Sequence, residues 1–357
     1  MALEVVKLAE HDKWLDVLGM CSPYDFYHCP YYHEISVTNE RYETDLLVYQ
    51  EGAYTIAIPL VTRPVNEIDG LDSYDFRDAT SVYGYAGPLA SHESIPEEVI
   101  KNFHCSLEAY FEDNGILCAF SRLHPLLSQQ HLLKDFGSVL PAGQTISIDL
   151  SLPPDEQYSC YRRNHKDGIR KLRQLNIRCI KDQAAEHLDG FIEIYHGNMI
   201  RVNAQEQYFF DKAYFRNILN ARDFEMHLFV CLLDDELICG GLFSLCNGFV
   251  QAWLAATADE YLKIAPMKLL IDEVRIWSNE VGANCFHLGG GIGAGEDSLF
   301  RFKAGFSNTM HKFYVWQMIC RGKGYQEISR KKMSWEKEQN REPIKGHYFP
   351  VYRRPTI

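Results

Sequence analysis

Hydrophobic and polar positions between residues 226 and 257 form three short β-rich blocks separated by turn-forming residues. Asp234-Asp235 divides the first block from the second, and Asn247-Gly248 divides the second from the third. Asn, Asp and Gly pairs between β-rich runs are typical of tight hairpin turns. The pattern therefore predicts an antiparallel meander of three strands.

A helix is predicted directly after this meander. Pro266 suits the first turn of a helix, and Gly282 suits its end. Apolar residues between them recur at helical spacing and predict one buried stripe: Met267, Leu270, Ile271, Val274 and Val281.

Three short elements are expected after that helix. Residues 284–291 read as a strand that ends in glycines, and residues 311–320 read as a final strand. Between them, residues 297–305 predict a short helix capped by Asp297 or Ser298.

The first half of the chain shows the same order of elements. Residues 45–64 predict a hairpin that turns at Glu51-Gly52, a helix runs from Pro96 to about Gly115, and residues 116–125 predict a strand with a polar end. The repeated order indicates two divergent copies of one fold, although sequence identity between the halves is negligible.

The length and composition agree with two domains. With 357 residues, of which 46% are hydrophobic, the chain can bury a sizeable core in each. We place the boundary near Gly143, after a turn-like stretch. The expected domains are residues 1–143, residues 144–325 and a charged C-terminal tail at 326–357, to which we assign no chemistry.

The net charge and the cysteine content narrow the possible classes of function. A net charge of −12 argues against wholesale binding of DNA or of an anionic membrane, although a local basic patch can hold a phosphorylated ligand. No apolar run is long enough to span a bilayer and the N-terminus is charged, so a cytoplasmic protein is expected, as a monomer or dimer. The eleven cysteines lack a Cys-x-x-Cys pair, and no metal site is predicted.

The glycine-rich stretch after residue 288 resembles a dinucleotide-binding loop in its spacing alone. Gly289, Gly291 and Ala294 fit G-x-G-x-x-A. Such a loop belongs in the first strand-loop-helix of a βαβ unit, whereas this stretch follows an antiparallel meander and a helix. The order therefore argues against a dinucleotide fold.

The predicted order resembles the GNAT acyltransferase fold, and two such units in one chain resemble its FemAB-like branch. Five motifs carry the likeness, which extends to about Arg321: residues 25–36, 78–91, 120–127, 161–177 and 298–307. The resemblance implies an α/β (α+β) protein of two GNAT-like domains, each a mixed, largely antiparallel sheet flanked by helices. The chain also resembles nucleotide-sugar N-acyltransferases of O-antigen or capsule biosynthesis.

The resemblance also implies where an acyl donor lies. In the family the acyl group sits where two central strands separate, beside the following helix, which maps to Leu242–Ala256 and to the helix near Pro266. The usual glycine-bearing pyrophosphate loop is absent. Lys263 or Lys268 would then supply the charge for coenzyme A, near Trp253.

Three residues are candidates for catalysis. His287 ends the strand before the glycines and suits a general base, and His124 holds the matching place in the first half. Lys303 matches a lysine that the family often carries beside the ligand cleft, where an ammonium can steady a phosphate or an oxyanion. Each has a plain structural alternative: a histidine satisfied within a strand, or a lysine on a solvated helix face.

Seven residues are candidates for substrate binding. Tyr83, Gly84 and Tyr85 offer flat aromatic surface and close backbone approach, which suits a base or sugar ring. Arg122, Arg163, Asn164 and His28 complete the set. The arginine and asparagine at 163–164 begin a basic block that can bind phosphates or can be an exposed helix face paired with acidic neighbours.

Three functions remain open from the sequence. One is an acyl-CoA-dependent N-acyltransferase that acts on the amine of a nucleoside-diphosphate-linked amino sugar, in cell-surface polysaccharide biosynthesis. The second is an aminoacyl-tRNA-dependent transferase of the FemAB type, which adds an amino acid to a peptidoglycan precursor. The missing glycine loop favours it and the negative charge opposes it. The third is a catalytically silent binding protein.

Overall fold

The computed structural model describes residues 3–344 and 346–356. The strands within them, β1 to β13, are Glu4–Lys7, Glu43–Glu51, Tyr54–Pro64, Arg77–Thr80, Leu89–Ala90, Ile116–Arg122, Ser138–Asp149, Arg178–Lys181, Glu225–Leu233, Glu236–Cys246, Phe249–Thr257, Cys285–Gly289 and Thr309–Ile319. The α-helices within them, α1 to α10, are His11–Met20, Pro30–Ser36, Glu97–Asp113, Pro154–Ser159, Arg163–Gln174, Leu188–Arg201, Lys212–Leu219, Met267–Glu280, Ser298–Lys303 and Gly322–Glu338.

These residues fall into two compact units. The chain passes from the first unit to the second between Ala142 and Gly143, and it returns to the first between Lys312 and Phe313. The first unit therefore contains both ends of the described chain.

The sheet of the first unit has the strand order β1-β2-β3-β4-β6-β13, and β5 pairs with β3. Its neighbouring strands are antiparallel except β4 and β6. The predicted hairpin is β2 and β3, with Gly52 in its turn at φ 60°. Helix α3 buries Phe103, Leu107 and Phe111 in the core of this unit. The order hairpin, helix, strand predicted for the first half is confirmed.

The prediction that residues up to 325 belong to the second domain and that a separate tail follows is wrong. From Phe313 the chain belongs to the first unit, where β13 pairs with β6. Helix α10 buries Tyr325 and Ile328 in one cluster with Leu117 and Tyr352. The few apolar positions of this segment are spaced among many charges, so its buried stripe is weak in the sequence pattern.

The sheet of the second unit has the order β7-β12-β11-β10-β9-β8, and β11 and β12 are its parallel pair. The meander is β9, β10 and β11. Asp234, Asp235, Asn247 and Gly248, which form its turns, all have positive φ. Short polar residues and glycine tolerate that conformation, so the predicted turn chemistry is confirmed.

The elements predicted after the meander are also present. Helix α8 is followed by Gly282 at φ 71°, and β12 and β13 are the two predicted strands. Asp297 caps α9, because its carboxylate accepts a hydrogen bond from the Phe300 N–H at 2.8 Å.

The two faces of the second sheet carry different helices. One face packs on α5, α8 and α9 and contains Val250, Phe286 and Leu288 in the core. On the other face the ring of Phe191, from α6, lies so close to Gly240 that a Cβ there would be 2.9 Å away. Side chains alternate along a strand, so polar residues that neighbour the core positions of β11 and β12 lie on the α6 face.

Candidate active site

The parallel strands β11 and β12 separate part-way along their length. In the described chain their ladder ends at the pair Gln251 and His287, although β11 continues to Thr257 and β12 to Gly289. The two strands therefore leave a wedge between them.

A β-bulge in β11 accounts for this separation. Leu242 and Phe243 of β10 pair with Leu254 and Ala252, so Trp253 is an additional residue of β11. A bulge bends its strand and increases the local twist, which turns β11 away from β12. Backbone N–H groups along such a wedge can stabilise the oxyanion of an acyl transfer.

Four polar side chains follow one another on neighbouring strands at the closed end of the wedge. We call them the polar row: Gln251 on β11, His287 on β12, Ser147 on β7 and His311 on β13. Oε1 of Gln251 lies 2.5 Å from Nδ1 of His287, and Oγ of Ser147 lies 2.7 Å from Nε2 of His311. His287 and Gln251 each expose 1% of their surface and Ser147 exposes 2%, so the row pairs polar groups inside the protein, where unpaired ones are costly.

Lys303 extends from α9 to the glycine-rich end of β12. Its Nζ donates a hydrogen bond to the carbonyl oxygen of Gly290 at 2.8 Å. A Cβ on Gly289, whose φ is 76°, would lie 3.2 Å from this Nζ, so the glycine leaves room for the ammonium group. Burial lowers the pKa of Lys303 to about 8, and Asp297 partly opposes that shift. The side chain can therefore exchange a proton near neutral pH.

The entrance to α8 differs from a pyrophosphate-binding loop. A 3-10 helix, Asp259–Ile264, stands where the GNAT resemblance places that loop. Pro266 has no N–H, and the N–H groups of Lys268 and Leu269 donate to the carbonyl oxygens of Ala265 and Pro266 at 3.1 and 2.9 Å. These first-turn donors are thus already used within the protein.

The charge at this entrance is mixed. Asp259 and Glu260 occupy the first turn of the 3-10 helix, and Lys263 is exposed in its last turn. Nζ of Lys268 donates to the backbone oxygen of Asn164 at 3.2 Å. The 3-10 helix before α8 thus carries charges of both signs, and its Asp259 pairs with Arg201.

Helix α5 carries the basic block. Arg163 and Asn164 at its start are exposed, and Arg163 lies 3.8 Å from Asp167. His165 instead packs under α9, donating from Nε2 to the carbonyl oxygen of Phe302 at 3.0 Å. Burial lowers the pKa of His165 to about 4, so it is neutral at pH 7.

The solvent side of α5 and the residue before it present five cations: Arg162, Arg163, Arg170, Lys171 and Arg173. Arg173 pairs with Asp272 at 2.9 Å and with Glu273 at 2.7 Å, and Arg170 pairs with Asp167 at 3.0 Å. The block thus combines paired cations with exposed ones.

In the first unit, His124 and Asp25 form a fully buried pair, with Nε2 of the histidine 2.8 Å from Oδ2 of the aspartate. The backbone N–H of Asp25 donates to Nδ1 of His28 at 3.2 Å. Burial, with a smaller effect of His124, lowers the pKa of His28 to about 3. The ring of Tyr85 meets that of His124 edge-on, at 6.1 Å. The structure thus brings three of the predicted residues together.

Tyr83 is exposed at the edge of this region, and Arg122 beside it is half-buried. Gly84, at φ 111°, is held against Tyr27, whose ring would lie 2.2 Å from a Cβ at that position. Tyr83 exposes 47% of its surface, and the Arg122 guanidinium lies 5.3 Å from its ring centroid. No described carboxylate forms an ion pair with Arg122. The two side chains offer a flat surface with positive charge.

Other features of the described residues lie outside these regions. They contain no group of three or more His, Cys, Asp or Glu that could hold a metal ion. Helices long and apolar enough to cross a membrane are also absent from them. A cavity of about 760 Å³ beside β8 and β9 is lined by Asp182, Arg216 and His227, among others, but by none of the predicted site residues.

Sequence reasoning missed Gln251, Ser147, His311 and Asp25. Gln251 stands in an apolar strand, and a polar residue there is the one local indication of a special position. The other three depend on partners more than ninety residues away, which the pattern of a single chain does not show.

A family model described as an acetyltransferase (GNAT) domain matches residues 159–303. This segment is similar to the GNAT acetyltransferase domains that the model describes. It contains α5, the meander, the wedge, His287 and Lys303. No curated protein matches the chain significantly.

Solved structures resemble the whole chain. FemX is 14% identical with a TM-score of 0.69, over 92% of this chain and 100% of FemX. A tandem GNAT protein from the clavulanic acid biosynthesis pathway is 12% identical with a TM-score of 0.51, over 88% of this chain and 98% of its own. A protein of unknown function from Bacteroides thetaiotaomicron is 11% identical with a TM-score of 0.54, over 88% and 99%.

At 11–14% sequence identity, the similarity to these solved structures shows the fold alone. The predicted α/β class with two GNAT-like domains is confirmed. With the GNAT domain match, the protein is an acyltransferase of the GNAT type, as predicted.

Proposed function

We propose that the protein transfers an aminoacyl group from an aminoacyl-tRNA to the amine of a nucleoside-diphosphate-linked acceptor. The observation that carries the choice of donor is the α8 entrance. Coenzyme A needs backbone donors for its pyrophosphate, whereas the N–H groups of Lys268 and Leu269 are bonded internally and Pro266 has none.

Exposed cations on α5 support an RNA donor. Arg163 and Lys171 are exposed, and α5 meets the start of α8 through Lys268 and Asn164. Neutralising RNA phosphates releases counterions, so such a helix contributes affinity without base contacts. The FemAB-like resemblance implies the same donor, and the likeness to FemX supports it.

The wedge, His287 and Lys303 suit the reaction. The acceptor nitrogen attacks the ester carbonyl, forming the C–N bond and an oxyanion along β11. His287 takes the proton that the nitrogen loses. As the ester C–O bond breaks, the Lys303 ammonium gives a proton to the departing ribose oxygen, so that an amide and a free hydroxyl result.

A second candidate is acyl-CoA-dependent N-acylation of a nucleotide-linked amino sugar in O-antigen or capsule assembly. The net charge of −12 favours it, because a strongly acidic protein repels tRNA at long range. The match to an acetyltransferase domain favours it as well. Lys263, Lys268 and Trp253 would then contact the cofactor.

The donor is tested by binding and by transfer. Thermal melting is measured with coenzyme A, acetyl-coenzyme A, UDP, TDP and buffer alone, since a ligand at a hundred times its Kd adds about 2.7 kcal/mol. We expect a nucleotide to raise the midpoint and coenzyme A at millimolar concentration to leave it unchanged. Radiolabelled aminoacyl-tRNA is expected to pass its amino acid to nucleotide-linked amines.

The paired variants Lys171→Glu and Lys323→Glu control for the RNA surface, because Lys323 is an exposed lysine of the first unit. Only Lys171→Glu should weaken use of aminoacyl-tRNA. A midpoint raised by coenzyme A, together with acetyl transfer to a nucleotide-linked amino sugar, would establish the second candidate instead.

We assign the Tyr83 and Arg122 surface to the nucleotide of the acceptor. Replacing Arg122 with glutamine removes one charge-assisted contact and should raise the KM for the acceptor about tenfold, with kcat nearly unchanged. Arg330→Gln, on an exposed arginine of α10, is the matched control. Equal KM values in wild type and Arg122→Gln would remove this surface from the acceptor site.

A further inference from the structure

The polar row contains one pair whose geometry fixes a proton. Oε1 of Gln251 is an acceptor only, and it lies 2.5 Å from Nδ1 of His287. Nδ1 must therefore carry the hydrogen, which leaves Nε2 of the neutral imidazole as the proton acceptor. The partner that a histidine's other nitrogen binds sets its tautomer in this way.

The backbone makes this pair hard to rearrange. Gln251 and His287 are the last partners of the β11–β12 ladder, so their Cα atoms are set by the strands. Neither side chain can turn to water, since each exposes only 1% of its surface. On the other side of His287, its β7 partner Ser147 is held by His311 at 2.7 Å.

We propose that Gln251 is a positioning residue for acyl transfer, which holds His287 in the Nδ1–H tautomer so that Nε2 can accept the proton of the acceptor amine. This inference rests on the proposed role of His287 in the reaction. Gln251 acts through His287 and touches no reacting atom.

The tautomer is tested without any assay of activity. Nitrogen-15 and proton NMR of histidine-labelled protein distinguishes the two tautomers, and His287→Gln identifies the signal of His287. We expect the Nδ1–H form in wild type and in Gln251→Glu, whose side chain still accepts, and loss of that preference in Gln251→Leu. The Nε2–H form in wild type, or an unchanged signal in Gln251→Leu, would overturn the proposal.

The effect on the reaction is tested by steady-state kinetics with whichever donor wild type uses. Gln251→Leu should lower kcat 10- to 100-fold with little change in KM, and Gln251→Glu should restore most of kcat. Ser244→Ala is the control. Ser244 lies on β10 opposite Gln251 of β11, and its buried hydroxyl has no hydrogen-bond partner among the described residues. It should leave kcat within twofold.

These experiments distinguish failure of the positioning role of Gln251 from failure of the proposed function. If wild type transfers nothing from any donor, the proposed function fails, and the NMR result still decides the tautomer. If wild type is active and Gln251→Leu keeps full kcat with an intact melting midpoint, the positioning role is wrong.

Discussion

Replacing Asp78 with asparagine should lower the stability of the first unit by about 3–5 kcal/mol, the usual cost of removing one partner from a buried ion pair. Asp78 is completely buried, and its carboxylate oxygens lie 2.6 Å from Arg63 and 2.5 Å from Nε of Arg353. The Tyr352 hydroxyl donates to it at 3.2 Å. Asparagine keeps the shape but leaves the Arg63 guanidinium without the charge of Asp78 and leaves Arg353 with Glu67 as its counter-charge.

The pKa of Arg353 shows how strongly this side chain interacts with Asp78 and Glu67. Burial alone lowers the pKa of Arg353, but Asp78 and then Glu67 outweigh burial and raise that pKa above its ordinary value. Arg353 also donates to the carbonyl oxygen of Pro64 at 2.8 Å. These contacts tie the segment after α10 to the edge of β3 and β4, so losing Asp78 releases the segment as well as the charge.

Calorimetry or urea unfolding measures the effect. At roughly 2–4 °C per kcal/mol for a unit of this size, the midpoint should fall by about 10 °C. Asp16→Asn is the matched control, because Asp16 is exposed on α1 and should shift stability by less than about 0.5 kcal/mol. If Asp78→Asn has the same unfolding midpoint as wild type, the network around Asp78 does not stabilise the unit.

This network illustrates what the sequence pattern cannot supply. The meander, α8 and α9 follow from local rules, because Asp234-Asp235, Asn247-Gly248 and Asp297 each form their turn or cap with near neighbours. Asp78 and Arg353 are 275 positions apart, and their pairing depends on the fold as a whole. For the same reason the sequence pattern does not predict that the charged C-terminal segment is packed.

The candidate site divides in the same way. His287 and Lys303 could be proposed because one ends a strand and the other follows the glycines in a recognisable motif. Gln251 could not, since its role appears only when β11 and β12 are brought into register. The position of a side chain along its own strand is local information, whereas its cross-strand neighbour is not.

Lys303→Met should lower kcat by about 10²- to 10⁴-fold at pH 7, the usual range for losing a general acid. Methionine keeps most of the length and apolar bulk while removing the group beside Gly290 that would protonate the leaving oxygen. Arg301→Met, on an exposed position of the same helix, should leave kcat within twofold. Equal loss in both variants would indicate damage to α9 instead of loss of an acid.

The pH dependence of kcat distinguishes a Lys303 that donates a proton from one that acts only as a fixed positive charge. Because burial lowers the pKa of Lys303 to about 8, the ammonium form is lost as pH rises through 8, and kcat should fall there. Lys303→Arg keeps its charge to high pH and should lose this limb. The stability of the fold should rise with pH over the range in which kcat falls. Between pH 8 and the ordinary lysine pKa near 10.5, the unfolded chain binds a proton at Lys303 that the folded chain does not bind. Wild type should therefore gain stability relative to Lys303→Met as pH rises through this range. A kcat that stays level to pH 10 would mean that Lys303 transfers no proton.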